Sequence, residues 1–301
     1  MTIDTTNIQH NTIQYVDDST NIIACTNTND LQTYIDIFFN ILESYYNINK
    51  LLINSDKSKL LLITKPTLRH LCNDIKLHTS LYIIEQSLKI KVLGIYITSG
   101  FSNIATINNI ISKVNYRSNT LKEIFKYSSI RTKKILTNSI IVSVIRYAAL
   151  ILINSNNTLI SKLQVLLMRC SRPILGFKSY KYSTQRIMKE LNWLNAYQII
   201  TKETIIFIHK IIYENQPKAM TQFFTFSLNN SQNHRFCRKS IVTEKIPSNK
   251  GKKSLIFFGN HLYNTLSNDL KFKNPKQLSK YLQNNIGYIF PFDQLPNFDP
   301  G

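Results

Sequence analysis

Tyr15-Val16-Asp17-Asp18 stands between two short β-prone stretches, Ile13-Gln14 before it and Ser19-Thr20-Asn21-Ile22-Ile23-Ala24 after it. Apolar and β-branched residues on both sides of a polar turn predict a hairpin with an acidic tip. Neighbouring carboxylates on such a tip repel each other, and hard oxygen donors of this kind suit Mg²⁺ beside phosphate. Asp-Asp is also ordinary turn chemistry, so the tetrapeptide alone leaves both roles open. A second pairing is open as well. If residues 3–8 paired with 13–18, Asp4 would lie opposite Asp17 and add a third carboxylate.

After the tip, Leu31, Tyr34, Ile35, Phe38, Ile41, Leu42 and Tyr45 recur at helical spacing. They predict an amphipathic helix over 30–47, with Asp30 as its N-cap. Short strands are expected at 51–53 and 60–63, joined by a polar turn over 54–58 that carries Lys57. Residues 66–79 read as loop. Strands at 80–84 and 89–98 follow, the second interrupted by Gly94, where glycine permits a kink, a bulge or a close backbone approach. Helices are expected at 103–127, 130–152 and 158–175, the third stopping near Pro173 and Gly176. Helical patterning resumes at Thr184 and runs to about Asn215, where Gln216-Pro217 ends it. Residues 218–254 are polar and basic, and further helices are expected at 255–268 and 275–285. The fold class is α+β, with hairpins and one helix over 1–100, a helical segment over 101–180, and a basic helical and loop-rich region over 181–301.

The order Tyr15-x-Asp17-Asp18, amphipathic helix, Asn54-x-x-Lys57-Ser58-Lys59, then Leu93-Gly94-x-Tyr96 resembles the second half of a reverse transcriptase. More narrowly, it resembles the polymerase of non-LTR (LINE-type) retrotransposons. Leu163-Gln164 through Arg169, with Ile174-Leu175-Gly176, is similar to that family's third thumb helix. His234-Arg235, Gly251-Lys252-Lys253-Ser254 and Gly259-Asn260-His261-Leu262-Tyr263-Asn264 are similar to its tail. Val92 stands where an aromatic is commoner, and Tyr263 where Trp is. The collinear order covers nearly the whole chain.

The resemblance implies a partial palm over 1–100, a thumb over 101–180, and RNA template and DNA primer as partners. It implies that Asp17 and Asp18 are catalytic carboxylates that hold two Mg²⁺ ions. Lys57 then takes one of two roles: general acid toward the leaving pyrophosphate, or solvated turn lysine in reach of phosphate. Tyr15, Leu93 and Gly94 are expected at the nucleic acid, the last two backing the primer end. Lys113, Arg117, Lys133, Lys134 and Arg169 are expected to grip its backbone. In the family, fingers and a palm strand with another metal-binding Asp precede Tyr-x-Asp-Asp, whereas fourteen residues precede Tyr15 here. The expectation is the C-terminal part of an RNA-directed DNA polymerase with little polymerisation of its own; supply of the missing fingers and palm segment in trans is left open by the sequence. A non-catalytic RNA- or DNA-binding protein derived from it is the alternative.

Charge is distributed one-sidedly. The formal net charge is +20; residues 1–100 carry 8 Lys plus Arg against 9 Asp plus Glu, and residues 101–301 carry 29 against 8. A cationic half suits contact with phosphate backbone, although a coding bias toward Asn, Ile and Lys gives the same sign. Cys25, Cys72, Cys170 and Cys237 lie far apart with no Cys-x-x-Cys pair. They are expected to be free thiols of a protein kept in the nucleus or cytoplasm. The six histidines are equally scattered, and no nucleophile–base set can be assembled. MTIDTTNIQH lacks the basic start and apolar core of a signal peptide. The most apolar stretch, 135–153, contains Arg146, at a cost of about 2.5–3.5 kcal/mol at a bilayer centre. A buried helix is expected there rather than a membrane span.

Overall fold

The computed structural model describes residues 8–26, 28–65, 67–68, 75–78, 83–176, 182–225, 241–242, 251 and 254–290. They are mixed α+β, and the chain divides into two compact units after Ser102.

In the first unit, β1 (Ile8–Tyr15) and β2 (Asp18–Cys25) form an antiparallel hairpin, with pairs running from Ile8↔Cys25 to Tyr15↔Asp18. The turn is only Val16-Asp17, which lets every residue of both strands pair. The alternative register falls on this point. Ile8 pairs with Cys25 and Ile13 with Thr20 on one strand, so Ile8 and Ile13 do not face each other as that register requires, and Asp4 lies outside the described residues. Val16 has φ 57°, a left-handed conformation in which a β-branched side chain is strained. Positive φ at the first of two turn residues is the type II′ position that glycine prefers. Val16→Gly is therefore expected to stabilise the hairpin by about 1 kcal/mol, read as slower hydrogen exchange of the β1 and β2 amides. Faster exchange would show that the turn is unstrained.

Helix α1 (Thr28–Ile48) covers one face of this hairpin. The His10 and Phe38 rings lie 4.3 Å apart, and Ser19 Oγ is 3.4 Å from Tyr46 Oη. Strand alternation puts His10, Ser19 and Ile23 on the covered side and Ile13, Tyr15, Asp18 and Ile22 on the other. Ile13 and Tyr15 are accordingly 58% and 60% exposed. Asp30 falls in the first helical turn rather than at the cap expected for it, where its charge still favours the helix dipole.

Ile35 of α1 packs with Ile75, Leu77 and Ile84 in a small core that Ile23, Leu31, Phe39, Leu60 and Leu62 border. Leu77 and Ile84 belong to β3 (Leu77–His78) and β4 (Ile83–Ile84), a short antiparallel pair. Part of the expected loop at 66–79 is thus paired, and residues 80–82 of the expected strand lie outside the described residues. The strands expected at 51–53 and 60–63 do not form; Leu60 makes only an isolated bridge to Gln86. Asn54 explains the first of these. Its side chain accepts from the Lys57 N–H at 3.1 Å and its carbonyl from the Ser58 N–H at 2.9 Å, a local turn that competes with a ladder. The expected strand over 89–98 is a second hairpin, β5 (Lys89–Val92) against β6 (Ile95–Thr98). Leu93 and Gly94 form its turn with φ 47° and 84°, both positive as in a type I′ turn.

The second unit is helical. Helix α2 (Ile104–Phe125) is followed by a continuous helix made of α3 (Ile130–Thr137), a π segment (Asn138–Val142) and α4 (Ser143–Leu152), and then by α5 (Asn157–Leu175). These three rods pack on one another through Ile107, Val114, Ile145, Leu152, Ile160 and Leu163, all essentially buried. Arg117 Nη1 donates to Ile140 O at 2.9 Å, satisfying a carbonyl in the π segment, where the α-helical ladder is broken. Pro173 does not stop α5. The helix runs on to Leu175 and ends at Gly176, φ 78°, because a proline near the last turn removes a single ladder bond.

The rod Ile130–Leu152 is long and apolar enough to cross a membrane by length and composition, and no other described helix is. The buried helix expected here is buried along one face. Ile141, Val142, Ile145, Ala148, Ala149 and Leu152 enter the core, while Arg146 Nε lies 3.7 Å from Glu203 Oε1.

The expected helix from Thr184 to Asn215 is two helices, α6 (Thr184–Leu191) and α7 (Ala196–Glu214). Asn192 ends the first in a left-handed cap, φ 50°. Asn195 and Gln198 form a capping box that starts the second. After α8 (Lys218–Thr221), α9 (Leu255–Asn264), α10 (Asn268–Lys271) and α11 (Pro275–Ile289) close the unit. The helix expected over 255–268 stops at Asn264, whose side chain is engaged by the Ile241 N–H and C=O at 3.0 and 2.8 Å. A Cβ on Gly259 would meet Ile208 Cδ1 at 2.7 Å, so a larger residue there would have to push the Ile208 side chain aside where α9 packs on α7. One core runs from Ile107 to Phe290.

Candidate functional site

The acidic turn presents its groups outward. Tyr15 and Asp18 are a directly opposed strand pair on the face that α1 leaves open, and Asp17 sits beside them in the turn. Gln14 Nε2 donates to Val16 O at 3.3 Å, tying the turn backbone to its own strand. Exposed carboxylates on adjacent residues match Mg²⁺ by donor type. A two-ion centre also needs carboxylates converging from another strand. Among the described residues no three His, Cys, Asp or Glu side chains gather. Asp17 and Asp18 therefore fit as part of a ligand set rather than a whole one.

Lys57 is exposed on its Asn54-capped turn, and among the described residues no ion pair joins it to Asp17 or Asp18. Leu93 is 46% exposed at the tip of the second hairpin, next to Gly94. Lys89 and Lys91 of that hairpin each hold an ammonium about 6 Å from the Tyr96 ring, at 5.9 and 6.0 Å. These cations lie along β5, the strand that leads into the Leu93-Gly94 turn.

The five cations expected in the helical unit have different surroundings. Lys113 and Arg117 are one turn apart on α2, and Arg117 commits one guanidinium nitrogen to Ile140 O. Lys133 Nζ lies 5.9 Å from the Phe125 ring centre. Arg169 is exposed on α5. Lys134 alone faces a cleft of about 1080 Å³, whose other cations are Arg146, Lys202, Lys210, Lys276 and Lys280. Sequence reasoning passed over those five. Their signal is the spacing of Lys202 with Lys210 and of Lys276 with Lys280, each pair on one helical face, but it spans elements far apart in the chain. Basic residues Arg235, Arg238, Lys239, Lys250, Lys252 and Lys253 lie outside the described residues.

Burial lowers the Lys202 pKa below the usual lysine value; the nearby Arg146 charge acts in the same direction and Glu203 opposes it. Burial lowers Lys271 likewise. Burial raises the Cys170 pKa, against smaller opposing effects of a Ser118 hydrogen bond and of Arg169 and Lys122. That side chain is a packed thiol rather than a nucleophile. Cys72 and Cys237 lie outside the described residues.

No protein-family model matches the chain, and neither curated proteins nor solved structures gave a match.

Proposed function

We propose that this chain is the palm-to-thumb part of an RNA-directed DNA polymerase of the non-LTR retrotransposon type. The reading rests on the order of parts: an acidic two-residue hairpin turn backed by a helix on one face only, a second tight hairpin at Leu93-Gly94, and then a cationic body of three packed rods. A primer 3′ end and template would approach the open face that carries Tyr15 and Asp18. Bound Mg²⁺ would supply charge stabilisation for phosphoryl transfer. Asp17 and Asp18 would contribute oxygen ligands, and Leu93-Gly94 would present backbone to the primer. The cations of the helical unit would hold the duplex by its phosphates.

A second reading, a nucleic-acid-binding protein without catalysis, is favoured by two observations. Residues 101–301 hold 29 Lys plus Arg against 8 Asp plus Glu, and the acidic turn provides only part of a two-ion set. Mn²⁺ titration with NMR detection separates the two readings. The polymerase reading expects paramagnetic broadening confined to residues near Val16, lost in Asp17→Asn/Asp18→Asn. Any extension of oligo(dT) on poly(A) by the chain must vanish in the same variant. Broadening that persists in the variant, or none in the parent, would leave the binding protein.

A further inference from the structure

The cleft in the helical unit lies between the rod Ile130–Leu152, helix α7 and helix α11. Six cations line it against two carboxylates, Glu203 and Glu214, and Glu203 is paired with Arg146 at 3.7 Å. Lys202 is 6% exposed there and has one acceptor among the described residues, the neutral Gln283 Oε1 at 2.8 Å. A buried ammonium with a neutral partner is costly unless an anion arrives. Lys210, Lys276 and Lys280 are exposed on the rims, and Asn138, Asn284 and Ser279 add neutral donors. Tyr213, 41% exposed, brings an aromatic ring to the same wall, held by His209 with ring centres 5.5 Å apart.

We infer that this cleft binds the phosphodiester backbone of a single-stranded nucleic acid, with Tyr213 as a stacking surface for one base. An open cationic groove with an aromatic on its wall is the arrangement that single strands require. An acidic peptide shares the charge but gains nothing from Tyr213. The inference goes beyond the polymerase reading, needs neither Asp17 nor Asp18, and shares only Lys134 with the duplex-contact set.

The test is fluorescence anisotropy of a labelled oligouridine of 15 nucleotides at 0.1 M salt with the full chain. Lys210→Glu/Lys276→Glu/Lys280→Glu is expected to bind roughly 100-fold more weakly, about fivefold for each of three phosphate contacts on a single strand. Lys162→Glu/Lys189→Glu/Lys218→Glu makes the same charge change at exposed positions off the cleft, and is expected to lose much less. Tyr213→Leu, which keeps the charge, should weaken binding by about fivefold or more through lost stacking. Lys210→Arg/Lys276→Arg/Lys280→Arg should bind like the parent, and circular dichroism must show all variants folded. Equal losses in the two glutamate triples would reduce the effect to diffuse charge and overturn the assignment. So would displacement of the strand by tripolyphosphate or polyglutamate at matched charge concentration, which would identify a free polyphosphate or an acidic peptide as the occupant. Duplex binding retained by the cleft triple would leave the polymerase reading standing whichever way this result falls.

Discussion

Tyr263→Ala is expected to lower the unfolding free energy of the helical unit by about 3–5 kcal/mol. Tyr263 is fully buried, and its ring stacks on His209 with centres 5.9 Å apart. The Lys271 ammonium, itself buried, lies 5.3 Å from the same ring. His209 Nε2 is 2.8 Å from Lys273 O, which places a proton on that nitrogen, and Nδ1 lies 3.5 Å from the Tyr263 hydroxyl. Truncation would open a cavity where α7, α9 and the Lys271–Lys273 segment meet, and would strip a buried cation of its aromatic neighbour. Tyr263→Phe keeps the ring and isolates the hydroxyl, at a cost of about 1 kcal/mol. Trp193 is the chain's single tryptophan and sits in this unit, so urea unfolding followed by its fluorescence reads the unit directly. A loss below about 1 kcal/mol for the alanine variant would show that this junction does not hold the unit together.

Affinity for a primer–template duplex is expected to fall about 500-fold between 50 and 200 mM salt. That figure follows if Lys113, Arg117, Lys133, Lys134 and Arg169 each neutralise one phosphate, at about 0.9 in the logarithmic salt slope per contact. Replacing any one of them with alanine should reduce the slope by about 0.9 and leave sequence preference unchanged, since phosphate contacts position without reading bases. Arg117 is the informative case, because one nitrogen is committed to Ile140 O. Arg117→Lys should lower stability through the π segment while keeping its share of the slope. A duplex affinity flat across this salt range would eliminate the backbone-gripping role for all five.

Much of the architecture was legible in residue spacing. The hairpin around Val16-Asp17, helix α1 and the three rods after residue 103 all follow from local periodicity and turn chemistry, which act between residues a few positions apart. The errors share a cause. Strands at 51–53 and 60–63 had the right composition, yet Asn54 closes a local turn and, among the described residues, Leu60 alone finds a bridge, to Gln86. Helix 184–215 was read as one because its apolar pattern continues across a break that Asn192 and Asn195 make with their caps.

The candidate site divides in the same way. The turn that carries Asp17 and Asp18 was legible in four adjacent residues, since a two-residue turn is specified locally, while their role came from the resemblance. Which side of the hairpin stays open was decided by α1, through His10 against Phe38 and Ser19 against Tyr46. The cleft was invisible along the chain. Its cations come from a rod beginning at Ile130, from α7 and from α11, and long-range packing alone sets which charged residues end up facing one another. Spacing along the chain thus determined the elements and their caps, because those energies are short-range. Tertiary packing decided where positive charge converges, because side chains distant in sequence share a surface only once the core between them has closed.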